Sequence, residues 1–153
     1  LQEGDSFPKF SLPDQDGKTV DNSAMAGDWC VVYFYPKDDT SGCTAEACAF
    51  RDSFPRFKGV RVFGVSPDSP KSHKKFMDKY SLPFTLLADE QKELAKACGV
   101  WVEKSMYGRK YMGVQRSTFL VGPDGKVRRV WEQVKPAGHA DEVLEALAAL
   151  QPA

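Results

Sequence analysis

Two cysteines five residues apart are the residues of this sequence best placed to do chemistry. Cys43 and Cys48 follow the lead-in Thr40-Ser41-Gly42, between a strand-like apolar run and a helix-like one. This position puts Cys43 in the first turn of a helix. Unpaired backbone N–H groups and the positive end of the helix dipole favour a thiolate there. Because the thiolate is the nucleophilic form of cysteine, the segment predicts one activated thiol.

The spacing of the two cysteines predicts that a bond between them would need a change of conformation. In an intact helix, Cα atoms five residues apart lie roughly 8–9 Å from each other. A disulfide needs Cα atoms within about 4.4–6.8 Å. A bond between Cys43 and Cys48 would therefore require the first turns of the helix to unwind. Cys43 is also expected to point inward, because it shares one helical stripe with Ala47, Phe50 and Phe54.

The alternative interpretation is that both cysteines are buried structural thiols, since free cysteine is often buried. The lead-in favours the chemical interpretation. Thr40 supplies a hydroxyl three residues before the sulfur, and Gly42 allows a close backbone approach or a positive φ. Such a lead-in predicts a small polar pocket above an apolar floor.

The elements that must position this site alternate between strands and helices. Ser69-Pro70 predicts a helix start, and Pro123-Asp124-Gly125 predicts a hairpin turn. The order predicts an α/β fold of the thioredoxin type, with a central mixed β-sheet flanked by helices and an N-terminal β-hairpin. The stretch Trp101–Val114 shows no clear period and is expected to be a long loop. The predicted segments are a hairpin of Phe10–Leu12 and the stretch from Thr19, strand Trp29–Tyr35, a helix from Cys43 to Phe54, strand Val60–Val65, a helix from Pro70 to Tyr80, strand Phe84–Leu87, a helix from Gln91 to Cys98, strands Ser117–Val121 and Lys126–Trp131, and a closing helix through Val143 and Leu150.

Composition restricts the possible functions. The chain has 153 residues, which predicts a single domain over 1–153, and its formal net charge is zero. With no basic excess we expect neither a nucleic-acid partner nor a membrane partner. Four cysteines are too few for a disulfide scaffold and favour the cytoplasm, or an organelle if a presequence was removed. No metal site is expected, because there is no C-x-x-C pair and the histidines are His73 and His139.

The cysteine segment matches a known pattern. Pro36-x-x-x-Thr40-x-x-Cys43 resembles the active-site motif of peroxiredoxins, and the stretch from Tyr33 to Asp52 resembles the peroxiredoxin Q, or bacterioferritin-comigratory-protein, subfamily. One departure is Ser41, which stands where many relatives have proline. The similarity covers nearly the whole chain and includes Gly4-Asp5-x-x-Pro8-x-Phe10-x-Leu12, Gly64-Val65-Ser66-Pro67-Asp68-Ser69, Leu82-Pro83-Phe84-x-Leu86-Leu87-x-Asp89, Gly99-Val100-Trp101 and Arg116-Ser117-Thr118-Phe119-Leu120.

The resemblance implies a role for each matching residue. Cys43 would be the peroxidatic cysteine, whose thiolate attacks a peroxide oxygen, expels water or an alcohol, and becomes a sulfenic acid. Thr40 would hydrogen-bond the thiolate and the peroxide. Arg116 would supply charge that favours the thiolate and steadies the O–O bond as it breaks. The backbone N–H groups of Gly42 and Cys43 would hold the substrate oxygen, next to Pro36 of the same motif.

Two further residues complete the implied site. Glu46 matches a carboxylate that orients active-site groups. Cys48 matches the resolving cysteine of members that form an intrachain disulfide, which thioredoxin or a similar dithiol would reduce. Cys98 is an alternative resolving or regulatory thiol, because some members resolve with a cysteine elsewhere in the chain. Cys30 lies inside an apolar strand and is expected to be a core residue, as is His73 on its helix's apolar stripe.

The resemblance thus implies a thiol-dependent peroxidase for hydrogen peroxide and organic hydroperoxides that needs no cofactor. Two other functions remain open. A peroxide sensor or redox relay needs the same activated Cys43. A general protein disulfide oxidoreductase is disfavoured because such enzymes usually carry C-x-x-C. We expect a monomer, since relatives in the resembling subfamily are often monomers and the sequence shows no exposed apolar stripe.

Overall fold

A computed structural model of the chain describes residues 1–151. Short 3₁₀ turns cover Asn22–Ala24 and Phe54–Arg56. The strands and α-helices found in this part of the chain are β1 (Ser11–Pro13), β2 (Thr19–Asp21), β3 (Trp29–Phe34), α1 (Ser41–Ser53), β4 (Val60–Ser66), α2 (Pro70–Tyr80), β5 (Thr85–Ala88), α3 (Glu93–Ala97), β6 (Trp101–Met106), β7 (Arg109–Val114), β8 (Ser117–Val121), β9 (Val127–Trp131) and α4 (His139–Leu150).

Five of the strands form one mixed sheet in the order β5-β4-β3-β8-β9. Strand β4 runs parallel to both β3 and β5, whereas β8 runs antiparallel to both β3 and β9. Strands β1 and β2 pair antiparallel as a separate N-terminal hairpin. The predicted α/β architecture, with its central mixed sheet and N-terminal hairpin, is therefore confirmed.

The central strand β3 separates two apolar cores. Val31, Tyr33 and Tyr35 pack with residues of α1, α2 and α4 on one face of the sheet. Cys30 and Val32 pack on the other face with residues of α3 and of the N-terminal segment. Alternate residues of a strand point to opposite faces, so a strand with both faces covered reads as one continuous apolar run. This arrangement explains why β3 was predicted as a strand buried on both faces.

Proline and serine mark the helix boundaries as predicted. Ser69 caps α2 by accepting a hydrogen bond from the Ser72 backbone N–H at 3.1 Å, and Pro70 is the first helical residue. Helix α1 ends at Ser53, where Pro55 lies in the following 3₁₀ turn. Proline lacks an N–H group and clashes with the preceding turn, which explains the end of α1.

The prediction of a long loop at Trp101–Val114 is wrong. Strands β6 and β7 form an antiparallel hairpin here, joined by Tyr107 (φ +52°) and Gly108 (φ +77°). Two successive residues with positive φ make the tight turn that matches the twist of a hairpin. Most of the hairpin is exposed on both faces, so no buried face imposes an apolar alternation on the sequence.

The hairpin also carries an exposed apolar surface that the sequence did not reveal. Tyr107 is 98% exposed, and the other large exposed apolar side chains reported for the described residues are Met106, Tyr111 and Met112, all on this hairpin. Exposed apolar residues that lie together are a common feature of binding surfaces. One of the two reasons for expecting a monomer, the lack of exposed apolar residues, therefore does not hold, and the expectation rests on the resemblance alone. Within residues 1–151, no helix is long and apolar enough to cross a membrane.

Candidate active site

The start of α1 places a cysteine sulfur beside a guanidinium group. Cys43 is the third residue of α1 and is 1% exposed. Arg116 immediately precedes β8, which pairs with β3 at the end from which the chain enters the α1 lead-in. Its Nη2 lies 3.1 Å from the Cys43 Sγ, a distance at which the N–H donates a hydrogen bond to sulfur. The helix start and the arginine thus act on the same sulfur.

A buried carboxylate holds the arginine in place. Arg116 Nη1 donates to Glu46 Oε1 at 2.7 Å, and Glu46 is 1% exposed. Burial raises the pKa of Glu46 to about 7, although the charge and the hydrogen bond of Arg116 act in the opposite direction. The second carboxylate oxygen, Oε2, has no hydrogen-bond partner within residues 1–151. Because this unpartnered oxygen is desolvated, burial raises the pKa of Glu46 more than Arg116 lowers it.

Glycine leaves room where the helix approaches the arginine. A Cβ atom placed on Gly42 would lie 3.2 Å from Arg116 Nη2, closer than most such contacts allow. The sequence predicted that Gly42 allows either a close backbone approach or a positive φ. Its φ is not positive, so the close approach is the role that applies. Gly42 and Cys43 are also within the first turn of α1, where backbone N–H groups lack intrahelical acceptors.

The Thr40 hydroxyl has a different partner from the one the resemblance implied. Thr40 is the N-cap of α1, and its Oγ1 donates to the Lys37 carbonyl oxygen at 3.1 Å rather than to Cys43. Its one proton is thereby used, so the oxygen is left as an acceptor towards a neighbouring O–H group. Pro36 is exposed and follows Tyr35, the buried residue after β3, where the chain turns into the lead-in.

An unpredicted aspartate anchors the lead-in to α2. Asp38 is buried and accepts hydrogen bonds from the hydroxyls of Tyr35 (2.6 Å) and Ser72 (2.8 Å). His73 Nδ1 lies 2.7 Å from the Asp38 carboxylate, and its Nε2 donates to the Leu87 carbonyl oxygen at 3.0 Å. His73 is thus the packing histidine that its position predicted. Asp38 was missed because a buried aspartate gives no periodic signal.

Asp38 also belongs to a group of possible metal ligands. Ligand atoms of Asp38, Asp68 and His73 lie within 4.8 Å of one another. Asp68 Oδ2, however, accepts from the Asp38 backbone N–H at 2.8 Å and from the Ser66 hydroxyl at 2.6 Å. The carboxylates are therefore engaged by protein donors, and we interpret the group as an anchor for the lead-in.

A second set of contacts ties α1 and its lead-in to the end of α2. Asp39 has a left-handed backbone (φ +58°) and accepts from Lys79 Nζ and from the Tyr80 hydroxyl, both at 2.8 Å. Arg51 of α1 donates to the Tyr80 carbonyl oxygen at 2.8 Å. The two hydrogen bonds of Asp39, which lies just before α1, would be strained or broken if the first turns of α1 unwound. Arg51 lies in the last turn of α1 and holds that end of the helix to α2.

The other cysteines occupy different environments. Cys48 is also in α1 and is partly exposed, and all four cysteines are free. Cys30 and Cys98 belong to the core on the sheet face opposite Cys43. Burial raises the pKa of each of these two thiols to about 12. The central sheet therefore separates both thiols from Cys43.

The fold and this site together are typical of a thiol enzyme. A mixed sheet flanked by helices carries one cysteine at a helix start, and an arginine contacts its sulfur. A sequence model of the AhpC/TSA family matches residues 4–130. Peroxiredoxin Bcp of Escherichia coli K12 is 46% identical over 149 residues, which cover 96% of this chain and 96% of the relative. A chloroplastic peroxiredoxin Q of Populus jackii is 44% identical over 153 residues, which cover 98% of this chain and 70% of the relative.

A solved structure matches the fold equally well. A mutant of peroxiredoxin Q from Xanthomonas campestris superposes with a TM-score of 0.91 at 43% identity, covering 99% of this chain and 98% of the other. The chain therefore belongs to the AhpC/TSA family and, within it, to the Bcp or peroxiredoxin Q group of peroxiredoxins, which are thiol peroxidases of thioredoxin-like fold.

Proposed function

We propose that Cys43 is the peroxidatic cysteine of this thiol peroxidase and that Cys48 resolves its oxidised form. The Cys43 thiolate attacks one oxygen of a hydroperoxide, the O–O bond breaks, and the other oxygen leaves as an alcohol or water after taking a proton. Cys43 is oxidised by two electrons to a sulfenic acid. The Cys48 thiol then attacks that sulfur, which releases water and forms the Cys43–Cys48 disulfide.

The contact between Arg116 and Cys43 carries this proposal. A guanidinium 3.1 Å from the sulfur favours the thiolate and leaves donors directed at the space where a peroxide oxygen must approach. Arginine always carries its charge, and Glu46 fixes its orientation from the buried side. The leaving oxygen gains negative charge as the O–O bond breaks, so the same guanidinium would stabilise the transition state more than the ground state.

The helix start supplies the remaining contacts to the peroxide. Backbone N–H groups of Gly42 and Cys43 would donate to the attacked oxygen. Thr40 Oγ1, whose proton is used by Lys37, would accept a hydrogen bond from the peroxide O–H. The donors and the acceptor together would orient the O–O bond in line with the sulfur, which is how positioning lowers a barrier.

Resolution by Cys48 requires α1 to open. Both cysteines lie in the intact helix, where five residues separate their Cα atoms by roughly 8–9 Å, too far for a disulfide. The two contacts of Asp39 with α2 oppose the opening. Two observations support Cys48 over Cys98: Cys48 is partly exposed on the same helix, and Cys98 is buried on the opposite sheet face.

A thioredoxin-like dithiol is the proposed reductant of the disulfide, and both hydrogen peroxide and organic hydroperoxides are the proposed substrates. The X. campestris bacterioferritin comigratory protein, 43% identical with a TM-score of 0.90, has been described for its alkyl peroxide reduction activity. We also propose that residues 1–153 act as one domain and that the protein works in the cytoplasm as a monomer.

Coupled turnover tests the assignment of both cysteines. Peroxide-dependent NADPH oxidation would be followed with thioredoxin and its reductase for wild type, Cys43→Ser, Cys48→Ser and the control Cys98→Ala. We expect turnover in wild type and Cys98→Ala, none in Cys43→Ser, and loss of thioredoxin-dependent turnover in Cys48→Ser. Turnover by Cys43→Ser would refute the peroxidatic assignment. Full turnover by Cys48→Ser with loss in Cys98→Ala would move resolution to Cys98.

A further inference from the structure

A cavity of about 520 Å³ adjoins the active-site arginine on the side of the β6–β7 hairpin. Arg116 forms one part of its lining, and Lys104 of β6 forms another. Val102 and Val134 form an apolar part of the lining, and Glu103 adds a carboxylate to it. The cavity is therefore large enough for the organic part of a small hydroperoxide whose O–O group lies at Arg116.

Lys104 extends across the hairpin over a glycine. Its cross-strand partner on β7 is Tyr111. Gly113 is the next residue of β7 on the same face of the hairpin, and it has no side chain to block the lysine. A Cβ atom on Gly113 would lie 3.2 Å from Lys104 Cδ and 3.4 Å from its Cε. The lysine stem thus occupies the space that a side chain at this position would take, which directs the ammonium along the face that carries the cavity.

The ammonium of Lys104 is the unpaired cation of the cavity. Glu103 pairs with Lys110 at 3.7 Å, and Arg116 pairs with Glu46 at 2.7 Å. Lys104 has no carboxylate partner in the part of the chain that the structure describes. A half-buried cation without a counter-ion is a site at which an anion gains more than it would beside a fully solvated lysine.

Lys104 also lies within the electrostatic field of the reacting groups. Burial and the charge of Arg116 lower the pKa of Lys104, and the negative charge of Cys43 acts in the opposite direction. These three groups therefore lie close enough to influence one another. Lys104 and Arg116 both line the cavity, so a substrate held there at Arg116 has the lysine as a neighbour.

We infer that Lys104 makes the cavity a subsite for a negatively charged group, so that the enzyme prefers anionic organic hydroperoxides to neutral ones of the same shape. The anion would pair with Lys104 while the hydroperoxide group reaches Cys43 and Arg116. The chemical step is the one already described, with the alcohol leaving and Cys43 oxidised to a sulfenic acid. This inference rests on the proposed function, and it makes Lys104 a residue that determines specificity.

A matched pair of substrates separates charge from shape. Cumene hydroperoxide is neutral, and its para-carboxylate differs by one negative charge remote from the O–O group. The rate of Cys43 oxidation by each would be measured at low salt in wild type and variants, and the anionic-to-neutral ratio compared. We expect the ratio to fall about fivefold in Lys104→Gln, the size of one well-placed half-exposed ion pair. Lys104→Arg should restore most of it, and Glu103→Gln should raise the ratio.

Arg109→Gln is the control, because it removes the same charge from the same hairpin outside the cavity lining. Its ratio should match wild type. An unchanged ratio in Lys104→Gln, or equal slowing of both substrates, would overturn the inference, since the lysine would then act on the thiol or not at all. Failure of wild type to react with either hydroperoxide would instead contradict the proposed function. The two failures are therefore distinguishable.

Discussion

Replacing Glu46 with glutamine should make the stability of the protein less dependent on pH. Glu46 is 1% exposed, and burial raises its pKa from 4.5 to about 7. The unfolded chain would ionise this group near its ordinary pKa, so the native state binds more protons than the unfolded state between these two values. The free energy of unfolding therefore falls as pH rises through this window. The contribution of Glu46 to that free energy is lowest above about pH 7.

The size of the effect follows from the difference in pKa. Each pKa unit corresponds to about 1.36 kcal/mol, and most of the window lies between pH 5 and pH 8, so Glu46 should cost about 2–3 kcal/mol more at pH 8 than at pH 5. Glutamine keeps the shape and an acceptor for Arg116 Nη1 but carries no charge. The free energy of unfolding of Glu46→Gln, minus that of wild type, should therefore increase by this amount over the same pH range.

Urea denaturation of the reduced proteins at pH 5, 6, 7 and 8 measures the difference directly, because the titration of groups that Glu46 does not influence cancels between variant and wild type. The same pair in a Cys43→Ser background shows how much of the effect passes through the thiol. A difference that changes by less than about 1 kcal/mol between pH 5 and pH 8 would refute the account of Glu46 as a carboxyl destabilised by burial.

Three further substitutions test the positioning of the sulfur. Arg116→Ala should slow the reaction of Cys43 with hydrogen peroxide about 10²- to 10³-fold, as loss of a preorganised donor does elsewhere, and stopped-flow oxidation checks it. A change below threefold would contradict the role of the arginine. Gly42→Ala should slow the same step about tenfold or more, because the new Cβ displaces the guanidinium. Unaltered rates would show that the close approach is not needed. Tyr80→Phe removes one hydrogen bond to Asp39, worth about 1 kcal/mol, and should speed formation of the intrachain disulfide several-fold. Quench-flow trapping measures that rate, and slower formation would contradict the view that these contacts oppose unwinding.

Much of the fold could be predicted because local and tertiary signals agree. The apolar run of β3 reads as a strand buried on both faces, and Ser69-Pro70 starts α2 as predicted. The β6–β7 hairpin could not be predicted for two reasons. It has no buried face that would impose an alternation of apolar and polar residues, and its turn is Tyr107-Gly108 rather than the common Asn-Gly. Position on a helix predicted a buried Cys43 in the first turn of α1.

The site was predictable only in part, because its partners come from distant segments. The contacts of Arg116 with Glu46 and Cys43 join residues 70 and 73 positions apart. A role of Arg116 at Cys43 was expected from family resemblance rather than from spacing, and its pairing with Glu46 was not specified. Lys104 and Asp38 gave no signal at all, since a lysine in a short strand and an aspartate in a loop are ordinary surface residues. Their roles depend on burial and on neighbours that only the folded chain brings together.

Trapping the oxidised sulfur tests the central claim most directly. Reduced wild type and Cys48→Ser would each receive one equivalent of hydrogen peroxide, followed by a reagent for sulfenic acids and peptide mass spectrometry. The account predicts a Cys43–Cys48 disulfide in wild type and a labelled Cys43 sulfenic acid in Cys48→Ser. Label on Cys30 or Cys98 with Cys43 unmodified would contradict it.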